Sequence, residues 1–135
     1  MERLTVEAKT ENLTQVLAFV DQFLEAADCP MKAQLQIDVA VEEIFVNIAS
    51  YAYEEGIGTT DILIGVERDP AAAVIEFRDR GMAFNPLEKQ DPDTTLSAEE
   101  RQIGGLGIYM VKKSMDEVIY RWEDGENILV IRKKW

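Results

Sequence analysis

The sequence predicts an α+β fold: a two-layer sandwich in which helices pack on one face of a mixed, mostly antiparallel sheet. Two observations predict it. Strand-like runs come in neighbouring pairs joined by short turns, and the helical stretches stand between those pairs instead of alternating with every strand. A third sets the scale: 135 residues with 47% hydrophobic content suffice for one ordinary core. Residues 1–135 are therefore expected to form a single domain.

In chain order, "RLTVEAKT" alternates Leu4, Val6 and Ala8 with polar residues, which predicts a half-buried first strand. Thr10 or Asn12 can cap a helix from about Leu13 to Ala27, with Val16, Leu17, Val20, Phe23 and Leu24 at helical spacing, ended by "DCP". A longer helix is predicted from about Lys32 to Glu54, broken by "EEGIGTT". The runs "TDILIGVER" and "AAVIEFRD" meet at "RDPA" and predict an antiparallel hairpin. A polar stretch to about Gln102 reads as a loop. A third helix starts at "GGLGIYMVKKSM", and "EVIYRWEDGENILVIRKKW" closes the chain as a hairpin turned at "EDGEN".

Charge narrows the function. A net charge of −12 repels phosphate backbones and anionic headgroups, so neither direct nucleic-acid binding nor membrane binding is expected. An acidic surface can instead face a basic protein. No apolar run approaches the roughly 20 residues of a membrane span. The lone Cys29 and an N-terminus without signal-peptide character predict a cytoplasmic protein. With no histidine, a zinc site has too few soft ligands, and any metal should be held by oxygen.

Three stretches carry chemistry. In "AQLQIDVAVEEIFVNIASYAY", Ile37, Val41, Ile44 and Ile48 fall within about 60° on a helical wheel and define the buried stripe. Glu42 points away from it, whereas Glu43 and Asn47 flank it one turn apart. Such a carboxylate and amide can hold Mg²⁺ with its waters, the carboxylate also serving as a base, or they can simply hydrogen-bond at the surface. In "FRDRGMAFNP", Asp79 closes an apolar run at a strand end. It can accept from a buried ligand amine, with Gly81 letting that ligand approach, or it can close an Asx-type turn. In "GGLG", residues 104–107 open a helix whose N-terminal amides suit a phosphate chain, without P-loop spacing or its lysine. Together they read as a nucleotide site.

"EIFVN" at 43–47, "DRGMAFNP" at 79–86 and "GGLGIYMVKK" at 104–113 resemble the N, G1 and G2 boxes of the GHKL ATP-binding superfamily, which includes gyrase, histidine kinases and MutL. The element order matches its Bergerat fold. Within it the chain is most similar to small anti-sigma factors of the RsbW or SpoIIAB type, which are serine-protein kinases. The resemblance implies ATP and Mg²⁺ as cofactors, Glu43 as catalytic base, and Asn47 as a Mg²⁺ ligand between the phosphates. It also implies that Asp79 accepts from the adenine amino group beside Gly81, with Phe84 in the same box. Residues 87–103 would form a lid, and Gly104, Gly105, Leu106 and Gly107 would meet the phosphates. Tyr51 stands where many relatives have histidine and is read as packing in the core or against the sheet; Asn127 stands where threonine is common and is counted with the nucleotide contacts.

The implied activity is a serine/threonine kinase that sequesters a sigma factor and phosphorylates a STAS-domain anti-anti-sigma protein by partner switching. The other reading is a non-catalytic, nucleotide-gated binding module. Relatives pair through the first-strand region, which leaves a homodimer open.

Overall fold

Alternation along the strands decides how the two layers meet. In the computed structural model, which describes residues 1–53, 58–88 and 105–135, the chain forms β1 (Glu2–Glu7), α1 (Leu13–Ala26), α2 (Met31–Tyr51), β2 (Thr59–Glu67), β3 (Ala72–Asp79), α3 (Gly105–Ser114), β4 (Glu117–Glu123) and β5 (Glu126–Lys134). The sheet order is β1-β2-β3-β5-β4. Every pairing is antiparallel, the fully antiparallel limit of the expected sheet.

One sheet face turns Val6, Ile62, Ile64, Ile75, Phe77, Leu129 and Ile131 into the core. Against it lie Val16, Val20 and Leu24 of α1, Ile37, Val41, Ile44 and Ile48 of α2, and Val111 of α3. The opposite face carries ion pairs, among them Arg3 with Asp61, Arg78 with Glu76 at 3.0 Å and Arg132 with Glu67 at 2.6 Å. Exposed pairs of this kind contribute about 0–1 kcal/mol each. They mark the solvent side more than they stabilise it.

The local signals differ from expectation at both ends of α1. Asn12 precedes the helix, but its amide donates to Glu7 O at 2.9 Å and caps nothing; Thr10 lies in a short 3-10 turn, Thr10–Asn12. At the other end Asp28 takes φ 59, Cys29 N–H reaches Leu24 O at 3.0 Å and Asp28 N–H reaches Glu25 O at 3.1 Å. These two bonds are a Schellman stop, here made by an aspartate where glycine is usual.

α2 ends at Tyr51, short of the expected Glu54, and residues 54–57 lie outside the described ones. Its last turn is tied to the segment after β3, because Met82 N–H donates to Ala52 O at 2.8 Å. That tie brings the second helix to the end of β3.

Candidate functional site

Three elements converge at one end of the sheet: the C-terminal half of α2, the end of β3 with the loop behind it, and the start of α3. They border a cleft whose apolar lining includes Ile44, Ile48, Phe77, Ile108 and Leu129. Asn47, Asp79, Tyr120 and Asn127 supply its polar groups. A mostly apolar pocket with a few convergent polar atoms is the usual form of a small-molecule site.

Among the described residues Asp79 is the most buried charged group, 6% exposed at the last position of β3. The ladders place it between Thr60 of β2 and Asn127 of β5. Its Oδ1 accepts from Gly81 N–H at 2.9 Å and from Asn127 Nδ2 at 3.0 Å. Oδ2 takes no hydrogen bond among the described residues. One oxygen thus closes the Asx turn, as one of the two sequence readings expects, and leaves the other without a bond to the described residues. Burial raises the Asp79 pKa above the ordinary carboxylate value, the bonds from Asn127 and Gly81 oppose that rise, and the charge of Glu126 adds to it.

Asn127 uses its whole amide inside the protein. Nδ2 donates to Asp79 and, at 2.9 Å, to Met82 O; Oδ1 accepts from Phe84 N–H at 3.1 Å and from Tyr120 Oη–H at 2.5 Å. With two donors and two acceptors engaged at 7% exposure, it is a positioning residue that fixes Asp79 and the 82–84 loop. Asn127→Ala strands several of these groups at once. It should cost about 2–4 kcal/mol, from roughly 1–3 kcal/mol per stranded buried group, and lower the urea midpoint accordingly.

Gly81 also has a different neighbour from the one expected. A Cβ there would lie 2.1 Å from Ala52 O and 2.6 Å from Ala52 C. The close approach that requires glycine is to the backbone at the end of α2, so Gly81 seats the loop against that helix.

Glu43 and Asn47 are half-buried on one side of α2, and Glu42 is exposed, as the wheel predicts. Neither Glu43 nor Asn47 makes a side-chain hydrogen bond among the described residues, and Asn47 lines the cleft. The Glu43 carboxylate lies against α3: a Cβ on Gly107 would come within 2.1 Å of its Oε2. This places an acid beside the first turn of α3, whose N–H groups have no acceptor within their own helix. Oxygen donors at Glu43, Asn47 and Asp79 fit a nucleotide with Mg²⁺ in donor type. Among the described residues no group of three or more acids, cysteines or histidines is placed to hold a metal ion without such a ligand's own oxygens.

The remaining expected residues divide. Phe84 is 37% exposed at the cleft, and Gly105 opens α3. Gly104 and nearly all of the expected lid lie outside the described residues, as does the Leu106 side chain. Tyr51 is corrected: it is 46% exposed at the cleft, one turn beyond Asn47, while the next residue, Ala52, is buried in the core. Sequence reasoning missed Tyr53, whose hydroxyl donates to Thr59 O at 2.7 Å and accepts from Arg80 N–H at 3.0 Å, clamping the loop before Gly81. It also missed Thr60, buried opposite Asp79 and donating to Arg78 O at 2.8 Å. Hairpin register through "RDPA" is the signal that would have found Thr60.

Comparison with known proteins decides the family, because the model of the histidine kinase-like ATPase domain matches residues 6–133. The chain belongs to that family. Membership in this ATPase family implies ATP binding. Similar proteins include the serine-protein kinase RsbW of Bacillus cereus, 25% identical over 96 residues, and that of Bacillus mycoides, 28% identical over 98 residues. Each match covers 70% of this chain and 60% of the relative. This ATPase domain has, among the described residues, no helix long and apolar enough to cross a membrane.

Proposed function

We propose that the chain is an ATP- and Mg²⁺-dependent serine/threonine protein kinase of the anti-sigma type. It would phosphorylate a STAS-domain anti-anti-sigma protein and hold a sigma factor by partner switching in the cytoplasm, as one domain that pairs with a second copy through the edge strand β1. The observation that carries the kinase reading is the Glu43 carboxylate, on the helix whose last turns line the Asp79 cleft, seated against Gly107 at the start of α3. The similar proteins, which are serine-protein kinases, support it.

ATP with Mg²⁺ would supply the transferable phosphoryl group and the cation that offsets its charge. The chain's own residues do the rest. Asp79 Oδ2 would accept from the adenine amino group, Asn47 Oδ1 would ligate the cation, and the free N–H groups at Gly105 and Gly107 would face the phosphates. Glu43 would take the proton from the acceptor serine hydroxyl. Tyr51 and Phe84, both exposed at the cleft, would cover the nucleotide's open side.

Incubation with γ-labelled ATP and candidate STAS-domain proteins tests this. Label on a partner serine marks the kinase, whereas nucleotide binding without transfer marks the non-catalytic module. Gly107→Ala gives an independent check. Its methyl group would displace a flexible carboxylate rather than backbone, so the urea midpoint should shift little while transfer falls at least about tenfold, since misplacement of a reacting group by about 1 Å can cost on the order of 100-fold. Unchanged transfer would detach Glu43 from the chemistry.

A further inference from the structure

The packing of α1 on α2 contains a polar contact remote in sequence from the boxes. Asp21 of α1 and Asp38 of α2 face one another as a side-chain pair, and Oδ1 of each is buried with no hydrogen-bond partner among the described residues. The other charged group acting on Asp38 is Glu25 of α1, again an acid. Cys29, in the connection between the helices, lies within reach of the Asp38 charge as well.

Two ionised carboxylates in contact, each with an oxygen withdrawn from water, repel one another and lose hydration together. One proton removes both penalties, because a protonated carboxyl donates O–H to its ionised neighbour. We propose that Asp21 and Asp38 share a single proton at neutral pH, and that this bond is a proton-linked joint between α1 and the helix that carries Glu43 and Asn47.

The electrostatics of the pair agree with the geometry. Burial first, then the hydrogen bond to Asp21 and the charges of Asp21 and Glu25, push Asp38 up to about 8. The Cys29 thiol is raised too, by burial and then by the charge of Asp38. Because the folded value lies above the unfolded one, the folded chain binds the extra proton between about pH 4 and about pH 8. The joint's contribution is complete below that window, declines as pH rises through it, and is gone above about pH 8. A cation between the carboxylates is the other physical solution, and no third acidic, cysteine or histidine ligand is placed to complete it among the described residues.

Asp38→Asn puts a permanent N–H donor where the shared proton sits. Urea unfolding of wild type and Asp38→Asn from pH 5 to pH 9, with ¹³C-carboxyl titration of the wild-type aspartates, tests the assignment. The expected result is a variant midpoint that gains on the wild type as pH rises and stays level above about pH 8, together with one aspartate carboxyl titrating well above the ordinary range. Parallel midpoint curves, or both carboxyls ionised by pH 6, would overturn the shared proton. So would Mg²⁺ or Ca²⁺ raising the wild-type midpoint at pH 8 without raising that of Asp38→Asn, which would assign the pair to a cation.

Discussion

Glu43→Gln should abolish phosphate transfer to a protein serine while leaving ATP binding nearly unchanged. Glutamine keeps the length that reaches Gly107 but cannot take a proton from a hydroxyl at neutral pH. Loss of a positioned general base costs about 10²–10⁴-fold in rate. Single-turnover transfer to a STAS-domain acceptor, measured beside calorimetric ATP affinity, separates the two effects. Equal transfer by the variant would remove Glu43 as the base.

Asp79→Asn should weaken ATP binding about 10–100-fold, the equivalent of losing a hydrogen bond to a charged acceptor worth about 1.5–3 kcal/mol. Inosine triphosphate, which lacks the adenine amine, should be affected much less. The fold should tolerate the change, since an asparagine oxygen can still accept from Gly81 N–H and Asn127 Nδ2. The sign of the pKa shift supports this. Asp79 has a folded value raised mainly by burial, so its contribution is full below the unfolded value and is lost as pH rises through the folded one. At pH 7 the variant should therefore resist urea at least as well as the wild type. A large loss of stability, or equal weakening for both triphosphates, would make Asp79 a turn residue only.

Local pattern made much of this legible. Alternation identified the core face of β1, and the 3.6-residue period separated Ile37, Val41, Ile44 and Ile48 from exposed Glu42 while leaving Glu43 and Asn47 at the margin. Spacing also put Asp79 at a strand end. What it could not reach were facts about neighbours far along the chain. Gly81 is a glycine because Ala52 stands 2.1 Å from where its Cβ would be, a contact no window around residue 81 contains. Asn127 is saturated by groups on β3, β4 and the loop after β3, so its side chain holds the acceptor in place and has no bond left for a ligand. Tyr51 falls on the cleft side of α2, one turn beyond Asn47, and off the stripe that Ile44, Ile48 and buried Ala52 continue. Asp21 and Asp38 lie on separate helices, and only the crossing of α1 and α2 makes them a pair.

The most direct test of the nucleotide site is calorimetric titration of ATP into the purified chain, with and without Mg²⁺, for wild type and Asn47→Ala. Saturable one-to-one binding that strengthens with Mg²⁺, and a Mg²⁺ effect that disappears in Asn47→Ala, is the result predicted. No heat of binding at millimolar ATP, or binding whose Mg²⁺ dependence survives the loss of Asn47, would contradict it.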